Sequence, residues 1–334
     1  MPNRPHATTE FALIAKHFAP LAAGFAGAYG LVDDVAVIAP APGHELVAKT
    51  DAIVAGIHFF ADDPADLVAK KALRVNLSDL AAKGAVPRAY LLDLIVPRDV
   101  EESWIAAFAR GLAADQAEYR IHLIGGDTDM TPGPATIAIT ALGEIATGRV
   151  IRRGGAAIGD GVYVTGSIGD GALGLKAVRG ELPELEPRAA GFLIDRYRLP
   201  RPRVALGPHL VGIVSASLDV SDGLVADLRH LCEVSRVAAI VAAARVPLSP
   251  AARAAIRDDG DRLKAALTGG DDYEILFTAP ASAAPAIAAL SARLGVAVTA
   301  IGEIVPRTPD GGDVVVLDAS GNAVPLDREG WQHF

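Results

Sequence analysis

The chain has 334 residues, of which 51% are hydrophobic, enough for a sizeable core in about two domains. Its formal net charge of −9 argues against a nucleic-acid backbone or an anionic membrane surface as the main partner; a small anionic ligand would need metal cations or local Arg and Lys. The single cysteine, Cys232, excludes an intrachain disulfide and a cysteine-built metal centre, and reads as a small buried apolar side chain.

Residues 10–18 read as a helix with Phe11, Ile14, Ala15 and Phe18 on one face. The apolar stretch 18–32 is broken by Pro20, Gly24 and Gly27 and lacks the continuous core of a signal peptide. The charge-free run 275–292 contains Pro280 and Pro285 and is a poor membrane span. The expected compartment is therefore the cytoplasm. Asp33 and Asp34 sit in a turn that feeds a short apolar strand, 35–38. Adjacent ionised carboxylates repel. A solvated turn explains them, and a cation explains them better if other acids converge. A strand from Leu46 ends with Lys49, Thr50 and Asp51, and oxygen donors of that kind suit a hard cation such as Mg²⁺. His58, in an apolar run, is either a structural hydrogen-bonder or a substrate contact.

A helix follows, opened by Pro64 and ended by Gly84 and Pro87, with Ala69, Leu73, Asn76, Leu77 and Leu80 at three-to-four spacing. Asp79 rides close to its core side, where an isolated ionised carboxylate is costly. Its partner is either Lys83, one turn on, or a metal ion. Then come a strand, 89–96, and an amphipathic helix, 101–118, with Trp104, Ile105, Phe108 and Leu112 inward. A strand, 120–124, runs into Gly125-Gly126-Asp127-Thr128. Those glycines would let backbone approach a phosphate while Asp127 holds a metal beside it, or they form an ordinary turn. A strand at 135–142 completes a first α/β domain, with a boundary between 148 and 161. Arg149, Arg152 and Arg153 lie there, as a solvated linker or with Arg153 turned into a cleft between domains towards phosphate.

The second half opens with a strand, 162–165, followed by Gly169, Gly171 and Gly174 in a G-x-G-x-x-G pattern. A dinucleotide fold predicts a second strand ending in an acid about twenty residues on. Asp195 instead lies in a helical stretch, 192–197, after a loop at 181–187, so the glycines read better as a close strand-to-helix turn than as a nicotinamide site. A strand, 216–218, leads into Asp219-Val220-Ser221-Asp222-Gly223-Leu224 and a helix to about 234. Ser221 or Asp222 suffices to cap that helix, but a cap does not need both acids and the serine. Gly269-Gly270-Asp271-Asp272-Tyr273-Glu274 opens a strand at 275–278, a helix capped by Ser282 runs to 294, and strands at 297–301 and 314–317 follow before Trp331 in the tail.

Asp33–Asp34, Asp51, Asp127, Asp219–Asp222 and Asp271–Asp272 all fall just outside predicted strands, where α/β ligand sites gather. An oxygen-only set fits Mg²⁺ or Mn²⁺ and not zinc. No G-x-x-x-x-G-K-[ST] and no H-R-D or D-F-G set occurs. A nucleotide would have to be held by metals and loops.

Six segments in order carry a resemblance: 30–34, Thr50-Asp51 with Gly56-Ile57-His58-Phe59, Lys71 to Asp79, Gly125 to Thr128, Asp219 to Leu224, and Gly269 to Glu274. Together they resemble the thiamine-monophosphate kinase family, within the aminoimidazole-ribonucleotide-synthetase-like superfamily, over nearly the whole chain. The resemblance implies a two-domain α/β fold of the α+β type. Residues 1–148 would bind metal and ATP and dimerise through their strands, and 149–334 would close the cleft over ATP and substrate. It implies direct transfer of the γ-phosphoryl of ATP to thiamine monophosphate. Asp34, Thr50, Asp51, Asp79, Asp127, Asp219 and Asp222 would bind several Mg²⁺ ions. Gly126, Asp127, Arg153 and Ser221 would contact ATP. His58, Asp271 and Trp331 would contact thiamine monophosphate. No residue is expected to act as a general base.

Four departures stand out: Val32 for a glycine, Lys49 for a small hydroxyl residue, Asp271 for a Glu, and Asp129-Met130-Thr131 for a segment with Arg. Lys49 either removes one metal position or supplies its charge from a side chain. The rival readings are a sister ATP-using synthetase, against which segments 50–59 and 269–274 speak, and a non-catalytic homologue that binds nucleotide or metal only.

Overall fold

The computed structural model describes residues 10–257, 259–307, 313–326 and 330. The chain divides into two compact units, Met1–Leu80 with Val86–Glu144, and Ala81–Ala85 with Ile145–Phe334.

The first unit begins with a short helix α1 (Glu10–Leu13) that widens into a π-helical turn over Ile14–Phe18. Then come β1 (His44–Val54), α2 (Ala65–Ala82), β2 (Val86–Pro97), α3 (Glu102–Tyr119), β3 (His122–Thr131) and β4 (Thr136–Ala146). The strands form one sheet in the order β1-β4-β2-β3, with β2 antiparallel to β4 and parallel to β3. Helix α2 is buried nearly all round. Leu73, Leu77 and Leu80 have no exposed surface, and even Lys71 is sunk, donating to the His58 carbonyl at 2.8 Å. Arg74 clamps α2 to α3 by bonding both oxygens of Asp115, at 2.7 and 2.8 Å. A planar guanidinium on a carboxylate is the strong form of such a pair.

Two expectations fail in this unit. Residues 35–38 form no strand: Val37 makes one bridge to the Gly27 carbonyl at 2.9 Å, and Val35 and Val37 stay exposed. Residues 125–128 are not a turn. They continue β3, which pairs with β2 to Thr131 and takes up one extra residue between Leu123 and Gly125. Gly126 is required there, because its φ is +143° and a Cβ would lie 1.8 Å from the Leu92 carbonyl oxygen.

The second unit runs β5 (Gly161–Thr165), α4 (Asp170–Val178), α5 (Pro187–Arg198), α6 (Gly207–Leu210), β6 (Ala216–Asp219), α7 (Leu224–Ser235), β7 (Ala238–Ala242), α8 (Pro250–Ile256), α9 (Gly260–Thr268), β8 (Ile275–Ala279), α10 (Ala284–Leu294), β9 (Val298–Val305) and β10 (Val314–Leu317). Its six-stranded sheet has the order β10-β7-β9-β5-β8-β6, antiparallel except for β10 against β7. Strand β5 is apolar on both faces because both are covered. Val162 and Val164 pack with Leu224, Leu228 and Leu231 of α7, while Tyr163 stacks on Phe277 at 5.3 Å on the other side. Ser282 does not cap α10: the cap position is Ala283, after a 3-10 turn, and no side chain bonds there. Among the described residues no helix is long and apolar enough to cross a membrane.

Candidate functional site

In the first unit the period of two along β1 puts Lys49, Asp51 and buried Ile53 on one face. Helix α2 brings Asp79 to the same place. The Lys49 Nζ lies 3.2 Å from Asp51 Oδ1 and 3.0 Å from Asp79 Oδ2. Burial works against the charged form of Lys49, but Asp79 and Asp51 outweigh it and hold the pKa above the ordinary lysine value. The expected Asp79–Lys83 pair is not formed as a contact of this kind. Lys83 donates to the Ser217 carbonyl at 2.5 Å.

Thr50 points to the opposite face of β1, where its hydroxyl accepts a bond from Thr140 at 3.0 Å. Asp51 and Asp127 are not just outside strands, as the sequence suggested, but inside β1 and β3. These are the two edges of the sheet. Two strands lie between them, about 14 Å at the usual strand spacing. Asp127 is exposed and accepts the N–H of its own neighbour Thr128 at 2.9 Å. Asp34 is exposed too, just before Ala36 and Ile38, which pack against the cluster of Ala22, Ala28, Ala89 and Ile124. Unit one thus holds Asp51 and Asp79 together and keeps Asp34 and Asp127 elsewhere. The His58 Nδ1 accepts the Val54 N–H at 3.1 Å, which leaves the proton of the neutral ring on Nε2.

In the second unit two loops are zipped together beyond β6 and β8. The Asp271 N–H donates to Ser221 O at 2.9 Å, Tyr273 N–H to Val220 O at 2.8 Å, and Val220 N–H to Glu274 O at 2.9 Å. This brings Asp219, Ser221 and Asp222 beside Asp271. Asp271 and Tyr273 have φ of +70° and +52°, a conformation unfavourable to side-chain-bearing residues, and the Tyr273 hydroxyl donates to Asp271 Oδ1 at 3.1 Å. Arg153 is exposed on the segment leading to β5. Trp331 lies outside the described residues.

What holds these loops was not visible in the sequence. Neither Ser221 nor Asp222 caps α7. Instead Asp227, in the first turn of α7, turns its Oδ2 back to accept the N–H groups of Ser221, Asp222 and Gly223 at 3.0, 3.0 and 3.2 Å. Burial, then the charge of Asp222, raise its pKa to about 7 against the pull of those bonds. An acid in the first turn after Ser-Asp-Gly is the signal that was available. Asp272 is buried and accepts Gly169 N–H at 2.7 Å and Gly171 N–H at 3.0 Å. The glycine pattern after β5 therefore cradles the protein's own carboxylate, as a close turn and not as a dinucleotide site. Full burial pushes the Asp272 pKa well up, against those two bonds. Beneath it, Glu274 accepts from Thr165 Oγ1 at 2.6 Å, Arg203 Nε at 2.6 Å and Arg196 Nη2 at 3.2 Å. A buried acid is tolerable only when its lone pairs are matched in this way.

With this geometry established, the chain can be set beside known proteins. The family model for the AIR synthase related protein, N-terminal domain, matches residues 32–145, and that for the C-terminal domain matches residues 157–315. The thiamine-monophosphate kinase of Caulobacter vibrioides is 42% identical over 328 residues, covering 97% of this chain and 91% of that protein. The chain belongs to the thiamine-monophosphate kinase family. The crystal structure of thiamine-monophosphate kinase from Stenotrophomonas maltophilia is 39% identical, with a TM-score of 0.78 over 88% of this chain and 91% of that one. AaThiL complexed with AMPPCP and TMP is 31% identical, with a TM-score of 0.75 over 100% of this chain and 99% of that one. The two-domain α/β architecture expected from the sequence is that of these relatives.

The donors fit a hard cation in kind, since every acid singled out offers oxygen alone. They are not gathered into one cage. Among the described residues no three His, Cys, Asp or Glu converge as a metal centre. The acids meet in smaller sets, and one set is closed on Lys49.

Proposed function

We propose that this chain transfers the γ-phosphoryl group of ATP directly to the phosphate of thiamine monophosphate, releasing thiamine diphosphate and ADP. The observation that carries this reading is the full-length likeness to AaThiL, whose complex contains AMPPCP and TMP. It acts as a cytoplasmic homodimer joined through strands of the N-terminal domain, 1–148, with 149–334 as the C-terminal domain.

The acceptor is itself a phosphate, whose second pKa near 6 leaves it largely ionised at neutral pH. No side chain needs to remove a proton, which accords with the lack of a His–carboxylate pair among the residues singled out. The task left to the chain is to align two polyanions and offset their repulsion. Asp34, Asp51, Asp79, Asp127, Asp219 and Asp222 would hold Mg²⁺ by carboxylate. Thr50 would do so by its main-chain oxygen, since its hydroxyl lies on the other strand face. When bound, Mg²⁺ supplies neutralisation of phosphate charge and fixes the in-line approach. Gly126, Asp127, Arg153 and Ser221 contact ATP. At Gly126 the space of a Cβ is taken by the Leu92 carbonyl, so its contact with ATP would be made by its own main chain. His58, with its Nε2 proton, Asp271 and Trp331 contact thiamine monophosphate. Asp227 and Asp272 fix the loops that carry Ser221, Asp222 and Asp271.

The test is thiamine diphosphate formation by the purified protein from ATP, Mg²⁺ and thiamine monophosphate, with unphosphorylated thiamine as comparison acceptor. Product from the monophosphate alone is expected. ATP binding without product from either acceptor would move the chain to a sister synthetase or a non-catalytic role. Trapping a labelled phosphoryl-protein would overturn direct transfer.

A further inference from the structure

We infer that the Lys49 ammonium is the resident cation of the Asp51–Asp79 pair, doing there with a side chain what a divalent ion would otherwise do. This rests on the reading of Asp51 and Asp79 as metal-facing acids. It refines that reading on one point: no divalent ion enters between Asp51 Oδ1 and Asp79 Oδ2 while Lys49 is in place, so any Mg²⁺ the pair holds is met by the other carboxylate oxygens.

Three observations carry it. The first is position. Lys49 and Asp51 share a face of β1, and Asp79 meets them from α2, so the ammonium sits between two carboxylates from different elements. The second is spacing. At 3.2 and 3.0 Å the ammonium is within ion-pair distance of both carboxylates at once. The third is enclosure. Lys49, Asp79 and Asp51 keep 31%, 22% and 42% of their side chains exposed, so the trio is half-buried. The lysine that sequence placed beside Asp79 is committed to the Ser217 carbonyl. Lys49, thirty residues before Asp79 in the chain, takes the role instead.

One positive charge against two negative ones leaves the trio with a residual charge of −1. Ions bound nearby still feel that charge, so the pair continues to favour cations around it. Replacing Lys49 with a small neutral residue restores two uncompensated carboxylates and opens a divalent site.

The experiment counts Mn²⁺ on the nucleotide-free protein by electron paramagnetic resonance and calorimetry, and follows the melting temperature with and without Mn²⁺. Lys49→Ser is expected to gain a site that binds Mn²⁺ at least tenfold more tightly than any the parent has at this pair, and to melt higher with Mn²⁺. Lys49→Arg, which keeps the charge, should match the parent. Asp79→Asn should abolish the gain in the Lys49→Ser background. An unaltered count in Lys49→Ser would overturn the inference, as would a gain that persists when Asp79→Asn is added to Lys49→Ser. None of these readouts needs thiamine monophosphate, so a protein that makes no thiamine diphosphate yet gains the Mn²⁺ site refutes the kinase reading alone.

Discussion

Gly270→Ala tests whether the two zipped loops of the second unit must lie as close as they do. A Cβ at Gly270 would stand 2.1 Å from the Ser221 carbonyl oxygen, 3.1 Å from its carbonyl carbon and 3.3 Å from the Asp222 Cα. Contacts under 3.0 Å to a main-chain oxygen do not persist, so the loops must part by about 1 Å at this point. The oxygen that would be pushed is the one accepting the Asp271 N–H at 2.9 Å. Losing that bond costs about 1 kcal/mol, and overpacking a tight contact adds about 1–3 kcal/mol. A loss of roughly 2–4 kcal/mol in urea denaturation is therefore expected. A shift of about 1 Å between Ser221–Asp222 and Asp271 should lower kcat/KM on the order of 100-fold. Gly191→Ala is the control. Gly191 is exposed within α5, with nothing within 4 Å of its would-be Cβ. It should gain about 0.4–1 kcal/mol and keep parental kinetics. A Gly270→Ala protein with the parental urea midpoint and kcat/KM within threefold of the parent would refute the argument that this contact sets the loops.

Asp227 gives a pH prediction. Its pKa is raised from 3.8 to about 7, so the folded chain binds this proton more tightly than the unfolded chain. Its contribution is whole below about pH 4 and is lost as pH rises through about 7, up to ~4 kcal/mol in all. Asp227→Asn, whose amide oxygen can still accept the three N–H bonds, should become more stable than the parent by up to that amount between pH 4.5 and about 7.5 in chelator. Parallel stability curves would contradict it. Cys232 has no exposed surface, and burial pushes its thiol up to about 12. It should resist a thiol reagent at about pH 8 until the protein is unfolded in urea. Full labelling of the native protein within minutes would show that α7 opens readily.

Apolar periodicity made much of the fold legible. The helix under Asp79 runs close to the limits set by Pro64 and Gly84, and α3 follows the spacing of Ile105, Phe108 and Leu112. The failures have a common cause, in that pairing across the chain decided what local residue types left open. Residues 125–128 look like a turn because of their glycines. They are strand because β2 offers hydrogen bonds along their whole length and Gly126 tolerates the approach. Residues 35–38 look like a strand because they are apolar. A strand also needs a neighbour, and the backbone bond made here, from Val37 N–H to the Gly27 carbonyl, joins no strand. The placement of acids at strand ends held for Asp219 and failed for Asp51 and Asp127, which lie within strands on the two sheet edges.

The charges carry the same lesson further, because electrostatic matching depends on distance in space. A glycine-rich turn advertises unpaired amides, but not what takes them. Here Asp272, about a hundred residues on, fills the amides of Gly169 and Gly171. Asp79 asked for a cation, and the nearest in sequence, Lys83, was the wrong one; Lys49 reaches it from another element. Asp227 does for α7 what Ser221 and Asp222 were expected to do. In each case a buried or half-buried charge is matched internally by a residue whose sequence position gives little warning. Relieving Ser221 and Asp222 of the capping role has a functional sense. A side chain bent back on its own helix terminus cannot also face a ligand, and Asp227 takes that task from inside the turn.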